Sequence, residues 1–248
     1  MSAFSYNNTD LPVRADIGEA HRAYWQKLAG PGSYWSGAER VAIAAEVRAA
    51  RTCRFCVERK GALSPYNFPG EHDSVTDLDA RVVDAVHRIV TDQNRITQRF
   101  VDDNEAGGLS KGAYVELAGI VVAMMSIDEF NRGIGVEPEP LPAPIAGEPD
   151  GYVPENLVDD TGFVPMLPKE GNSGNESDLF PPERPAANVL RALSMVPAAV
   201  RDWCDLAAAQ YLSIAGMANM VKDDNRVIDR MQMELVAGRV SSVNECFY

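Results

Sequence analysis

Residues 36–63 read SGAERVAIAAEVRAARTCRFCVERKGAL. Ser36, with Glu39 three positions on, forms a Ser-x-x-Glu capping box, in which each residue satisfies an otherwise orphaned backbone amide at a helix start. Helical period then continues until Arg51 ends the run. Thr52 is placed to cap a second helix, with Cys53 at its first position and Cys56 one turn further. Unpaired backbone amides and the helix dipole favour thiolate over thiol at such a position. Arg51, Arg54, Arg59 and Lys60 add positive charge nearby. Either sulfur of this Cys-x-x-Cys pair can attack an oxidant, and the other then stands close enough to resolve the product as a disulfide.

Working outward, helical pattern precedes this stretch in GEAHRAYWQKL (18–28) and is broken by the Gly/Pro-rich segment before Ser36. It follows in TDLDARVVDAVHRIVTDQNRITQRFVDD (76–103) and, after GGLS, in KGAYVELAGIVVAMMSIDEFNRGIG (111–135). Residues 136–185 hold most of the prolines with many glycines and acids, which reads as a linker. Tyr152, Phe163, Met166, Leu167 and Phe180 are its candidate anchor points. Helical pattern returns at 186–221 and 226–248. No period-2 strand stands out, so the expected fold class is all-α. The segments ERVAIAAEVRAARTCRFC and MELVAGRVSSVNECFY can be laid together on Cys53 and Cys246, which suggests an internal repeat. The expected organisation is a first repeat over 1–135, a linker over 136–185 and a second repeat over 186–248.

Composition narrows the function classes. Hydrophobic content of 46% with 24% charge predicts a packed core rather than disorder. A formal charge of −13, with no cluster of cations and aromatics, argues against nucleic acid and anionic membrane surfaces as partners. No stretch approaches 18 consecutive apolar residues and the amino terminus has no basic-then-apolar pattern, so a cytoplasmic location is expected. Four cysteines are too few for a disulfide-stapled secreted domain, and in a reducing compartment a Cys-x-x-Cys pair is catalytic or metal-binding. A zinc site would need further ligands from Cys204, Cys246, His21, His72 or His87, which form no second close pair, so no metal is expected. Cys204, within VRDWCDLAAA, reads as a small buried hydrophobe.

The carboxyl-terminal segment MELVAGRVSSVNECFY resembles the alkylhydroperoxidase D (AhpD)/carboxymuconolactone decarboxylase superfamily, in which a Glu twelve residues before a Cys leads into Cys-x-x-Cys and then a His. Glu234 and Cys246 have that spacing. By resemblance Glu234 takes the role of a proton-relay residue for a thiol at Cys246. Position 249, where the second cysteine is expected, lies past the sequence; a shortened chain, a degenerate repeat and a selenocysteine are the readings open there. GLSKGAYVELAGIVVAMMSIDEFNRGIGVEPEPLP is similar to the helix and Pro-ended tail that follow the redox helix in peroxidase-related AhpD-like proteins. Glu116 and Asn131 lie within it and are expected to be structural hydrogen-bonding residues. The methionines (Met124, Met125, and Met217 through Met233) are expected in the core or a subunit interface.

The first half departs from the family pattern. Val41 stands twelve residues before Cys53, and Lys60 stands where the relay His is expected. Glu46, seven residues before Cys53, is open between a surface charge and a substitute relay. Lys60 is open between stabilising a thiolate and simple solvation. His87 is expected to be a partly buried helical histidine and His72 a loop residue.

What the resemblance implies is a peroxidase-related thiol-disulfide oxidoreductase with an AhpD-like two-repeat helical bundle, working without metal or organic cofactor. Its candidate catalytic set is Cys53, Cys56, Glu46, Lys60, Glu234 and Cys246. The partners implied are a small hydroperoxide or disulfide, a dithiol protein reductant and further copies in a homo-oligomer. The alternatives are a lyase or isomerase like carboxymuconolactone decarboxylase, using acid/base groups without cysteine redox, and a non-catalytic helical oligomer with decayed sites.

Overall fold

The structure is a computed structural model, described for residues 3–64, 68–180, 186–213, 216–217, 226–244 and 246. Among these residues it is all-helical, with nine α-helices and no strand beyond one antiparallel bridge between Val158 and Met166. The helices are α1 (Ala15–Ala29), α2 (Gly37–Ala50), α3 (Arg54–Gly61), α4 (Ala80–Thr91), α5 (Gln98–Ala106), α6 (Lys111–Gly133), α7 (Asn188–Arg191), α8 (Pro197–Gln210) and α9 (Arg230–Val243). None is long and apolar enough to cross a membrane.

The 23-residue helix α6 is the centre of the core. Leu117, Ile120, Val121, Met124 and Ile127 recur at the i, i+3, i+4 spacing that puts side chains on one helix face, and all five are buried. Each such side chain contributes about 1.5–3 kcal/mol by leaving water. Helices α2, α4 and α8 pack on α6, and α1 packs on both α2 and α8. Starts are set locally: Ser36 and Glu39 complete the expected capping box, while Asp79, Thr97 and Ser110 accept backbone amides at the starts of α4, α5 and α6.

Three sequence-based boundaries shift. The pattern over 76–103 divides into α4, a 3₁₀ turn (Gln93–Arg95) and α5, because Asp92 leaves helical geometry. The pattern from 186 divides into α7 and α8, with Pro197 opening the second, where its missing N–H costs nothing. Cys53 is the N-cap of α3 rather than its first residue, with extended backbone and a carbonyl that accepts the Val57 amide. Thr52 instead turns its hydroxyl back to the Ala49 carbonyl.

Residues 136–180 run over the helical body and are tied to it. Ile145 donates its amide to the Ala29 carbonyl, Asp150 and Gly151 bond the Gly32 and Ser33 carbonyls, and the Trp25 indole bonds the Pro140 carbonyl. Met166, Leu167 and Phe180 are buried, whereas Phe163 is exposed; Leu167 and Phe180 form a small second core with Leu179, Ala186 and Val200 of α8. Helix α8 contributes Ala199, Leu206 and Ala209 to the main core, so residues from both expected repeats share one apolar interior.

Among the methionines, Met124 and Met233 are buried while Met231 is exposed. Glu116 pairs with Arg40 inside the protein and accepts the Tyr34 amide, and Asn131 accepts the Tyr6 hydroxyl. Glu116 and Asn131 thus make the structural hydrogen bonds expected of them.

Candidate active site around Cys53 and Cys56

Helix α2 presents Ile43, Ala44, Val47 and Ala50 to the core, and Glu46 lies on the same buried side with 0% exposure. A buried carboxylate is tolerated only when its oxygens are satisfied. Glu46 accepts from the Ser74 hydroxyl (2.8 Å), the Val75 amide (2.9 Å) and the Thr76 hydroxyl (2.6 Å), which pins the loop after His72 across α2. Its other oxygen bonds His87 Nε2 at 2.9 Å. His87 reaches it from the buried face of α4, beside Val83 and Val86.

The same loop carries His72, whose Nε2 lies 3.0 Å from Asp84 Oδ1 on α4. Asp84 also pairs with Arg59 of α3. Arg54 clamps Asp73 through its amide (2.9 Å) and both ends of its guanidinium. The loop is thus fixed by ionic and hydrogen-bonded contacts at His72 and at the four residues that follow it.

Both imidazoles turn their Nδ1 atoms towards the sulfurs. Cys56 Sγ lies 3.3 Å from His87 Nδ1 and 3.4 Å from His72 Nδ1, and Cys53 Sγ lies 3.6 Å from His72 Nδ1. The two sulfurs and two nitrogens all lie within 4.8 Å of one another. Cys53 Sγ also accepts the Asp73 amide at 3.4 Å. Both cysteines are free thiols and buried, yet neither sits in hydrocarbon alone.

The electrostatics separate the two histidines. Burial disfavours the cation at both. At His72 the bond to Asp84 and those to the two sulfurs outweigh burial and push its pKa up to about 9. At His87 burial prevails over the Glu46 bond, the charge of His72 adds to it, and the pKa falls below the usual histidine value. Burial also raises Glu46, but the Thr76, His87 and Ser74 bonds prevail and hold it below the usual carboxylate range. Cys53 is lowered in the same way: burial opposes ionisation, while the Cys56 and Asp73 backbone amides and His72 favour the thiolate.

A cleft of about 500 Å³ is lined by His72. Its walls include Phe55, Phe68, Arg59, Asp84 and Arg88. Phe55 and Phe68 stack with centroids 5.8 Å apart, and the Arg59 guanidinium lies 5.1 Å from the Phe55 ring. Gly70 shapes the rim, since its φ of +154° and the adjacent Phe55 ring leave no place for a side chain. Arg59 is buried, and its Nε and Nη2 have no hydrogen-bond partner among the described residues.

Of the residues expected from sequence, Cys53, Cys56 and Glu46 are brought together. Glu46 is a buried hydrogen-bonded group, which disposes of its reading as a surface charge. Lys60 is exposed on α3 and takes no part in the cluster. Glu234 and Cys246 are not joined to it: Glu234 is exposed, bonding Arg230 (2.6 Å) and the Tyr211 hydroxyl (2.6 Å), and Cys246 is exposed. Position 245 and the last two residues lie outside the described residues, and with them most of the second cysteine motif. Cys204 is half-buried, and burial, followed by Asp205 and Asp178, pushes its thiol up to about 11, in keeping with an unreactive sulfur.

His72, His87 and Asp84 were not in the sequence-derived set. The signal available was scarcity: the chain has three histidines, and two of them meet here. Their separation of fifteen positions gives no local hint, because a loop and a helix must fold against α2 before the rings face each other. Compared with known proteins, the chain matches no family model, no curated protein and no solved structure.

Proposed function

We propose that this chain is a thiol-disulfide oxidoreductase that reduces hydroperoxides at Cys53 and Cys56. The observation that carries the reading is the line Glu46–His87–Cys56, in which an imidazole nitrogen faces a sulfur while its opposite N–H is held by a buried carboxylate. That is the arrangement of a nucleophile, a general base and a group orienting the base.

In this mechanism His87 Nδ1 takes the Cys56 proton, and Glu46 stabilises the resulting imidazolium. The thiolate attacks the terminal peroxide oxygen, the O–O bond breaks and the alkoxide leaves as an alcohol. His72, which lines the cleft and has its Nδ1 3.4 Å from Cys56 Sγ, is the group that gives that proton. Cys56 is then a sulfenic acid; Cys53 attacks its sulfur, water leaves and the disulfide forms. A dithiol protein returns two electrons and two protons, restoring both thiols.

The AhpD-like two-repeat architecture belongs to the same proposal. It is supported by a register shared between the halves. Helices α2 and α9 are each fourteen residues long, each begins with a complete capping box (Ser36/Glu39 and Asp229/Gln232), and each is followed three residues later by a cysteine, Cys53 or Cys246. The repeat thus rests on helix limits as well as letters. In this register Val41 matches Glu234 and Glu46 matches Arg239, so the two halves carry their carboxylates at different turns of the same helix.

The test is turnover of an organic hydroperoxide by the reduced chain with a regenerating dithiol, together with the mass of the chain after one equivalent of peroxide. The expected result is loss of the mass of two hydrogen atoms, located to the peptide holding Cys53 and Cys56. No turnover, or oxidation located at Cys246 instead, overturns the reading.

A further inference from the structure

We propose that the reduced chain also binds a zinc-like divalent cation through Cys53 Sγ, Cys56 Sγ, His72 Nδ1 and His87 Nδ1. The inference needs no peroxide turnover and stands independently of the redox reading.

The donor set is the first argument. Two thiols and two imidazole nitrogens converge from three elements, the start of α3, the following loop and α4, and all four atoms lie within 4.8 Å of one another. A tetrahedral ion with bonds of about 2.3 Å to sulfur and 2.0–2.1 Å to nitrogen separates its S and N ligands by roughly 3.6 Å. Three of the four sulfur–nitrogen gaps here are 3.3, 3.4 and 3.6 Å, and the fourth is at most 4.8 Å. Three of the six edges of a tetrahedron therefore already have the ligand spacing, and the other three are no longer than 4.8 Å.

The surroundings are the second argument. An imidazole that ligates a metal almost always gives its other N–H to a carboxylate or carbonyl, which fixes the tautomer and aims the ligating lone pair. Both rings do this: His87 Nε2 meets Glu46 at 2.9 Å and His72 Nε2 meets Asp84 at 3.0 Å. Each of those carboxylates is itself held, Glu46 by the loop from Ser74 to Thr76 and Asp84 by Arg59. A single thiol–base pair needs one such support; a four-ligand site needs one for each histidine.

The chemistry selects the ion. Tetrahedral S₂N₂ coordination suits zinc, and cobalt(II) enters the same geometry as a coloured stand-in. With four protein ligands the coordination sphere is closed, so the ion has a structural or protective role rather than activating water. Binding displaces the thiol protons and turns both sulfurs into metal-bound thiolates. Metal and disulfide then exclude each other, because each uses the same sulfur electrons. A hydroperoxide oxidising the loaded site would take two electrons from the two thiolates and two protons from solvent, giving disulfide, alcohol, water and the released cation.

The experiment is an anaerobic titration of the full-length reduced chain with cobalt(II) and then zinc. The expected result is one cobalt per chain, the visible bands of a tetrahedral site, near-ultraviolet thiolate-to-cobalt charge transfer, and loss of colour on zinc addition. The diamide-oxidised wild-type chain should show none of this and recover it on reduction, a control that requires no substitution. Glu46→Gln should weaken zinc binding 10–100-fold, and Cys204→Ser should leave it unchanged. Absence of charge transfer in the reduced chain, or the same spectrum after oxidation, overturns the proposal. Hydroperoxide turnover of the metal-free chain is measured separately: cobalt colour without turnover keeps the site and removes the enzyme, and turnover without colour does the reverse.

Discussion

Helices α2 and α9 begin and end in the same way, yet the cysteines that follow them stand in opposite surroundings. After α2, Cys53 is fully buried among two imidazoles, and Glu46 from the same helix anchors the loop that closes over it. After α9, Cys246 is exposed, and the helix leaves Met231, Leu235 and Val240 facing out. An identical local signal therefore does not produce a site. The difference comes from what packs against the helix: α2 lies against α4 and α6, which supply His87 and the wall behind it, while α9 contributes Met233 alone to the buried set.

The largest effect that would break this comparison is on turnover. Cys56→Ser should lower hydroperoxide reduction at least a thousandfold, measured at saturating dithiol, because the nucleophile is removed. Retained activity would move the chemistry to another thiol. His87→Gln should follow with a loss of about 10²–10⁴-fold, the contribution typical of a positioned general base. The loss should shrink at alkaline pH, where hydroxide stands in for the missing base, and a pH–rate profile of the variant checks this.

Stability sharpens the contrast next. Leu117→Ala in α6 removes a fully buried side chain and should cost about 3 kcal/mol in urea unfolding, whereas Leu235→Ala on α9, 75% exposed, should cost less than about 0.5 kcal/mol. Comparable losses would mean that α9 is covered in solution.

The third histidine separates structural from chemical burial. His21 is fully buried, bonded to the Tyr6 hydroxyl (2.5 Å) and the Gln210 amide (2.9 Å), with no carboxylate among these partners. Burial, followed by the charge of Arg22, lowers its pKa to about 4. Because the unfolded chain binds the proton more readily, the stability associated with neutral His21 is complete above about pH 6.5 and is lost as pH falls towards 4. The loss at pH 5 should be about 2 kcal/mol relative to neutral pH. It is checked by comparing the pH dependence of unfolding in wild type and His21→Gln, the variant lacking this component. The smallest effect belongs to the second cysteine: Glu234→Gln and Cys246→Ser should each change turnover of this chain by less than about twofold, and a larger change would join α9 to the site.

How far the sequence was legible follows from range. Capping boxes, the 3.6-residue period and the Cys-x-x-Cys spacing act within one or two turns, so Ser36, Glu39, Cys53 and Cys56 could be read directly, and the all-α class with them. Glu46 was ambiguous because a carboxylate seven residues before a cysteine is equally a surface charge until its partners are known. Lys60 had the right position and the wrong exposure.

The amino-acid order by itself thus determined that the chain is helical, that a capping box opens α2 and which two sulfurs stand one turn apart. Only the tertiary structure decided that His72 and His87 meet those sulfurs, that Glu46 and Asp84 stand behind them, and that Cys246 does not. The physical reason is that periodicity and capping are properties of neighbouring residues, whereas the surroundings of a thiol are set by α2, α3, α4 and the intervening loop closing on one another across dozens of positions.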